Sequence, residues 1–279
     1  MKFPARKLFY ALPPAWRFAA RRLYFLPADA WDSLTGNRDG LTPPRGLIFT
    51  GGGDFKKAGQ ALLQYFKEYG GLQADGQVLD VGSGIGRGAI PLTGFLNENG
   101  RYEGFDVVEQ GVAWCRENIS ARFPNFHFQY IPLDNDLYRA AGGGDASRFT
   151  FPFADGQFSL AIVNSVFTHL LPEEVENYLG EIFRVLRPGG VCYATFFLFD
   201  KSGQAKFPEG FEFPYGYGHY RLMDDEVKSA NVAFEESYLR SVFEKHRLEV
   251  RHLFYGSWRD GRVIDCKDFQ DIVILEKKI

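Results

Sequence analysis

Val78-Leu79-Asp80-Val81-Gly82-Ser83-Gly84-Ile85-Gly86-Arg87-Gly88 decides how this chain is read. Val78, Leu79 and Val81 form the apolar run of a strand covered on both faces. Gly82, Gly84 and Gly86 then remove side chains where the backbone must turn sharply and approach a ligand. Ala89 to Leu96 follows with the apolar face of a helix, although Pro91 falls in its first turns. A strand, a glycine turn and a helix in this order aim backbone N–H groups at a ligand.

The glycines alone leave two ligands open. Gly84-Ile85-Gly86-Arg87-Gly88-Ala89 fits the dinucleotide pattern G-x-G-x-x-A. Asp80 tilts the reading, because a pyrophosphate has little use for a carboxylate there, whereas a cationic amino-acid end has one. Asp80-x-Gly82-x-Gly84-x-Gly86, with Ser83 inside the turn, resembles motif I of class I S-adenosylmethionine (AdoMet) methyltransferases.

Composition narrows the field. Of 279 residues, 45% are hydrophobic, enough for a substantial core, and 16% are aromatic, including 28 Phe. A net charge of only −3 gives no electrostatic case for a nucleic-acid partner. Cys115, Cys192 and Cys266 are too scattered for a zinc site or a disulfide framework, so no metal is expected and a reducing cytoplasm is. No run has the length of a membrane span or a signal peptide.

Working outward, Asp54 is placed to cap a helix over Lys56 to Tyr69, which Gly70-Gly71 ends. Arg101 to Asp106 reads as the second strand. Its terminal acid is what a ribose diol needs, since two hydroxyls can donate to one carboxylate. NAD and AdoMet share that need. Val107 and Val108 are placed to flank an adenine, and Val108 to Ser120 is helical. Phe126 to Ile131 is the third strand. Phe158 to Asn164 is a buried fourth strand after a Pro/Asp/Gly turn, and Ser165 to Pro172 is the loop at its carboxyl end, where open α/β sheets hold ligands. Glu173 to Arg187 is a helix stopped by Pro188-Gly189-Gly190, and Val191 to Leu198 is the fifth strand. A helix over Leu239 to Lys245, a strand over Glu249 to Tyr255, a tight polar turn around Arg259-Asp260-Gly261 and a last strand over Asp271 to Glu276 close the chain.

Arg184-Val185-Leu186-Arg187-Pro188-Gly189-Gly190-Val191 resembles the post-helix motif of class I methyltransferases, and the likeness covers Asp54 to Phe197. It looks like a group of bacterial small-molecule enzymes. The resemblance implies an α/β fold with a doubly wound, mostly parallel seven-stranded sheet whose last strand is antiparallel. It implies S-adenosyl-L-methionine as cofactor, held by Asp80, Gly82, Ser83, Gly84, Gly86, Asp106, Val107 and Asn164. An adenine contact is implied after the third strand, at Leu133 and Asp134, although Ile131-Pro132-Leu133-Asp134 departs from the common Asp-Ala pair. Asp145-Ala146, beyond Gly142-Gly143-Gly144, is the competing position.

Two segments stand outside this frame. Residues 1–53 read as a helical extension and connector, with the methyltransferase domain over 54–279. The first 28 residues hold Lys2, Arg6, Lys7, Arg17, Arg21 and Arg22 and no acid, leaving 26 basic against 35 acidic residues in the remainder. Pro13-Pro14 opens a helix to about Leu26, with Trp16, Ala19, Ala20, Leu23 and Phe25 or Leu26 at helical spacing. It reads as a helix docked by that face with its arginines in water, as a substrate lid, or as a membrane-surface helix in peripheral contact. The second segment, residues 200–231, crowds Phe207, Phe211, Phe213, Tyr215, Tyr217 and Tyr220 among Gly210, Gly216 and Gly218. It reads as an aromatic lid or a flap packed on the core.

The expected reaction is methylation of a small-molecule acceptor at a hydroxyl oxygen, on a metabolite, sugar or lipid-linked glycan. A hydroxyl asks for a base, and His169 and His219 are the candidates. Phe167, Tyr215 and Tyr217 are the candidates for holding the acceptor. An Asn-Pro-Pro-Tyr type motif of amino-methylating nucleic-acid enzymes is absent, since the chain reads Asn164-Ser165-Val166-Phe167. A non-catalytic AdoMet-binding subunit and an NAD-dependent oxidoreductase remain as alternatives, and the oligomeric state is open.

Overall fold

The computed structural model describes residues 12–49, 51–138, 142–200, 211–259 and 266–278. Lys2, Arg6 and Lys7 of the basic segment, Phe207 and Gly210 of the lid, and Asp260-Gly261 of the last turn lie outside the described residues.

Seven strands form one sheet: β1 (Gln77–Val81), β2 (Arg101–Asp106), β3 (Phe126–Tyr130), β4 (Phe158–Val163), β5 (Leu186–Phe196), β10 (Leu248–Phe254) and β11 (Asp271–Lys277). Their order is β3-β2-β1-β4-β5-β11-β10. β1 pairs in parallel with β2 and β4, and β11 runs antiparallel to both β5 and β10. The expected fold class is therefore the observed one.

Alternate residues of β1 serve opposite layers. Leu79 and Val81 join the core formed with Tyr178, Leu179 and Ile182 of helix α5 (Pro172–Val185). Val78 faces Leu62 and Phe66 of helix α2 (Phe55–Glu68), together with Val112 and Cys115 of α4 (Glu109–Cys115). Asp80 shares the Val78 face. The Asp54 carboxylate accepts the Lys57 N–H at 3.0 Å, the cap expected for α2.

Four expectations need correction. The helix after the glycine turn, α3 (Ala89–Leu92), is a single turn rather than a run to Leu96, and gives way to a turn over residues 93–95 that contains Gly94, a poor helix former. The connection from β10 to β11 runs from Phe254 to Asp271 and is no tight turn: Trp258 inside it is fully buried and donates its indole N–H to Asp271 at 2.8 Å. Among its described residues, the lid segment contributes two strands to a small sheet. β7 (Tyr215–Tyr217) and β8 (Tyr220–Leu222) form a hairpin that pairs with β9 (Val232–Glu235) and through it with β6 (Leu198–Phe199). Phe213 is fully buried in its own cluster with Phe197, Phe199 and Trp258. β9 leads into α6 (Glu236–Lys245).

The fourth correction concerns the N-terminal helix. Helix α1 runs over Pro14–Leu34, well past Leu26. Its buried side is not the apolar one. Arg17 is buried, Arg21 is half-buried, and Trp16, Leu23 and Leu26 face solvent. Hydrogen bonds line the inward side. Asp29 accepts the N–H groups of Arg45 and Gly46 at 2.7 and 2.9 Å, and Asp32 accepts from the Arg45 guanidinium. The connector thus folds back along the polar side of the helix.

Candidate active site

The carboxyl ends of β1, β2 and β4 surround a cavity of about 240 Å³. Asp80, Gly82, Ser83, Gly84, Asp106, Val107, Asn164 and His169 all line it. Gly82 has φ +76°, and a Cβ there would sit 2.4 Å from a methyl of Val166, so only glycine suits this turn.

Asp80 accepts the Tyr102 hydroxyl at 2.5 Å. Burial pushes its pKa up to about 7, and the bond from Tyr102 offsets part of that. A cation placed beside it would return the carboxylate to its charged form. Asp106 holds the glycine turn, since one oxygen accepts the Gly84 N–H and the other the Val108 N–H, both at 2.7 Å. Burial raises its pKa to about 6 despite these bonds. The Val107 N–H also approaches this carboxylate, which still has acceptor capacity for a donor such as a ribose hydroxyl. The Ser83 hydroxyl is buried without a hydrogen-bond partner among the described residues. An unsatisfied hydroxyl on a cavity wall calls for a ligand. The donor set therefore fits AdoMet: a carboxylate near the amino-acid end, an acid at the second strand end, an open hydroxyl and a glycine turn.

His169 closes the far side. The ring is half-buried, its Nδ1 lies 2.8 Å from the Ser229 carbonyl, and the Tyr138 ring meets it edge-on. A carbonyl only accepts, so Nδ1 carries the proton and Nε2 the lone pair. Burial lowers the histidine pKa, against the opposing pull of the Ser229 and Ala230 carbonyls and Asp136. The imidazole is neutral at pH 7. Asp136 fixes the partner of that ring: its two oxygens accept the Lys228 and Ser229 N–H groups.

The other residues named from sequence lie elsewhere. Gly86 abuts Ile119 and Cys115, so it serves helix packing. Leu133 is buried in the core, and exposed Asp134 accepts the Gly143 N–H at 2.6 Å. The glycine loop returns to this segment, with Gly144 bonded to Pro132 and Asp134. Asp145 caps the short turn Ala146–Arg148. Phe167 is fully buried and stacked on Phe196 at 4.8 Å. Tyr215 and Tyr217 sit on the β7 hairpin away from the cavity, with the Tyr217 hydroxyl donating to Asp225. His219 stacks on Tyr238, and its Nε2 is buried without a partner among the described residues.

Sequence reasoning passed over Asn135, Tyr138, Arg87, Phe49, Ser165 and Gln270, which also line the cavity. Two of them carried a local hint: Arg87 stands within the glycine stretch, and Ser165 just after a strand end. Ser165 is the one with an unusual backbone. It has φ +57°, a costly backbone state for a non-glycine residue. Its N–H donates to Thr195 and its hydroxyl to Gln270.

Residues 79–194 match the methyltransferase-domain family. An arsenite methyltransferase of Aquipseudomonas alcaligenes is 29% identical over 42% of this chain and 31% of its own length. A phthiotriol/phenolphthiotriol dimycocerosates methyltransferase of Mycobacterium tuberculosis is 33% identical over 41% of this chain and 35% of its own. This chain thus spans about a third of each relative. Among solved structures, the Burkholderia thailandensis 1,6-didemethyltoxoflavin-N1-methyltransferase, bound to its substrate and S-adenosylhomocysteine, aligns with 96% of this chain and 92% of its own at a TM-score of 0.50 and 15% identity. The strand order, the glycine turn and the two acids thus fall in and around the stretch that matches this methyltransferase-domain family.

Proposed function

We propose that the protein methylates a hydroxyl oxygen of a small-molecule acceptor, with His169 as general base. The observation that carries this reading is the His169–Ser229 bond. It leaves a neutral imidazole with its Nε2 lone pair free to accept a proton, on the wall of the cavity that also holds Asp80 and Asp106. AdoMet, when bound, supplies an electrophilic methyl group on a sulfonium. Gly82, Gly84, Ser83, Asp80 and Asp106 would hold it. His169 takes the proton that the acceptor hydroxyl loses as its oxygen gains the methyl group. The rest of the wall positions the acceptor and excludes water. The relatives' named acceptors are chemically diverse, so the domain match does not select among acceptors. The neutral histidine supports a hydroxyl over a more acidic or more nucleophilic group, which needs no base.

Two measurements test this. Calorimetric titration should show binding of AdoMet and S-adenosylhomocysteine and none of NAD; the reverse would return the chain to the oxidoreductase alternative. Incubating the protein with fractionated metabolite extract and isotopically labelled AdoMet should then yield a small molecule one methyl group heavier. Exclusive labelling of amines or thiols would remove the hydroxyl assignment, and AdoMet binding without any labelling would favour a non-catalytic subunit.

A further inference from the structure

Helix α1 has its polarity inverted. The side turned to the protein carries Arg17, Arg21, Asp29 and Asp32. The side turned to water carries Trp16, Leu23, Tyr24, Leu26, Trp31 and Leu34, each between 60% and 85% exposed. At 100° per residue these fall on one arc, and the positions between them are alanines and Pro27, with no charge. Twenty-one residues make this an uncharged stripe about 30 Å long. A contiguous apolar surface of that kind marks a contact with something apolar.

We propose that α1 is an interfacial anchor that lays this stripe into a lipid surface bearing anionic headgroups. Charge selects the occupant. The first 28 residues hold six basic residues and no acid; Arg17 and Arg21 turn to the protein and Arg22 is exposed, while the remainder carries nine more acidic than basic residues. An anionic surface attracts this end of the chain and repels the rest, which orients the molecule. A second copy of the chain would instead bring two basic segments together. Trp16 and Trp31 stand near the two ends of the stripe, and tryptophan favours the headgroup boundary. The helix length and the one-sided pattern suit lying in that boundary, and no helix among the described residues is apolar enough to cross a membrane.

The anchor also packs on the cavity. Phe18, on its inner side, meets Phe49 edge-on at 5.6 Å, and Phe49 lines the cavity and faces Tyr138. The Arg17 guanidinium reaches the Asp136 carbonyl at 3.5 Å. Anchoring through α1 sets the cavity beside the lipid surface.

The test is co-sedimentation of the full chain with vesicles of phosphatidylcholine alone or mixed equally with phosphatidylglycerol. The expected result is binding to the mixed vesicles about tenfold tighter than to the neutral ones. Binding should weaken as salt rises from about 50 to about 500 mM, and tryptophan emission should shift to the blue. Leu23→Glu with Leu34→Glu should abolish sedimentation while AdoMet titration stays at wild type, which shows that the fold is intact. Absence of wild-type sedimentation at low salt overturns the proposal. So does wild-type sedimentation by the double variant, or a light-scattering dimer that the double variant breaks without any vesicle binding.

Discussion

The Ser229 carbonyl lies 2.8 Å from Nδ1 of His169, and Asp136 in turn holds the Ser229 N–H at 3.0 Å. The imidazole is therefore oriented by a backbone group that a carboxylate pins from behind. With burial holding its pKa below the usual 6.5, the base is deprotonated through neutral pH, and activity falls only when acid protonates it. The acid limb of kcat should lie below pH 6.5. His169→Ala should lower kcat by about 10²–10⁴-fold, the range for a general base, with AdoMet affinity retained. Asp136→Ala, acting on position alone, should lower kcat less and move the acid limb. A wild-type pH profile in both variants would leave proximity as the catalytic device.

Asp80 and Tyr102 make cofactor binding depend on pH. The Asp80 carboxyl, pushed up to about 7, is substantially protonated below neutrality, and a cationic ligand favours its charged form. AdoMet affinity should rise as pH increases through about 7 and fall again above about 8, where the ligand's own ammonium loses its proton. Tyr102→Phe removes the bond that holds this pKa down, so the midpoint should move to higher pH; Asp80→Asn should flatten the curve. Stability runs the other way. Asp80 and Asp106 have folded pKa values raised above their unfolded ones, so the folded state binds more protons between about pH 4 and 7. Across that window the ligand-free protein should lose stability as pH rises, and Asp80→Asn should reduce the loss. Melting curves with and without AdoMet check both signs.

What could be read in advance depended on how local the cause was. Asp80, Gly82, Gly84 and Asp106 sit where strand ends and a glycine turn must put them, and their spacing is fixed by a few consecutive residues. Phe49, Tyr138 and Gln270 reach the same cavity from three distant segments, and nothing in their neighbourhoods announces it. Aromatic density in the lid segment signalled burial or binding equally. Phe213 went to a core cluster and Tyr217 to the surface of the β7–β8 hairpin, so ring content did not set the placement. Periodicity found the two faces of α1 but not which one turns inward. The inward face carries Asp29 and Asp32, which bond the Arg45–Gly46 segment, together with Phe18, which meets Phe49.

Gly82 is the turn position with no substitute. A Cβ there meets Val166 at 2.4 Å, and φ +76° costs any other residue about 1–2 kcal/mol on its own. Gly82→Ala should lower stability by at least that amount and abolish measurable AdoMet binding. Adding Val166→Ala removes the steric part only, so the double variant should regain some stability and still fall short of wild type. Full recovery would mean that the backbone conformation carries no cost.

Asp106 combines two duties that different substitutions separate. Its carboxylate holds the Gly84 and Val108 N–H groups, and its remaining lone pairs face the cavity. Asp106→Ala loses both, leaves two buried N–H groups without partners, and should weaken AdoMet by about 1.5–3 kcal/mol while lowering the melting temperature. Asp106→Asn keeps one acceptor oxygen, turns the other position into a donor and removes the charge. It should keep more of the stability while still weakening AdoMet. Adenosine, which carries the ribose without the amino-acid end, should lose about as much affinity in each variant as AdoMet does. A loss for AdoMet alone would place Asp106 with the amino-acid end instead, and a loss below ~0.5 kcal/mol for both ligands would mean the ribose is held by other groups.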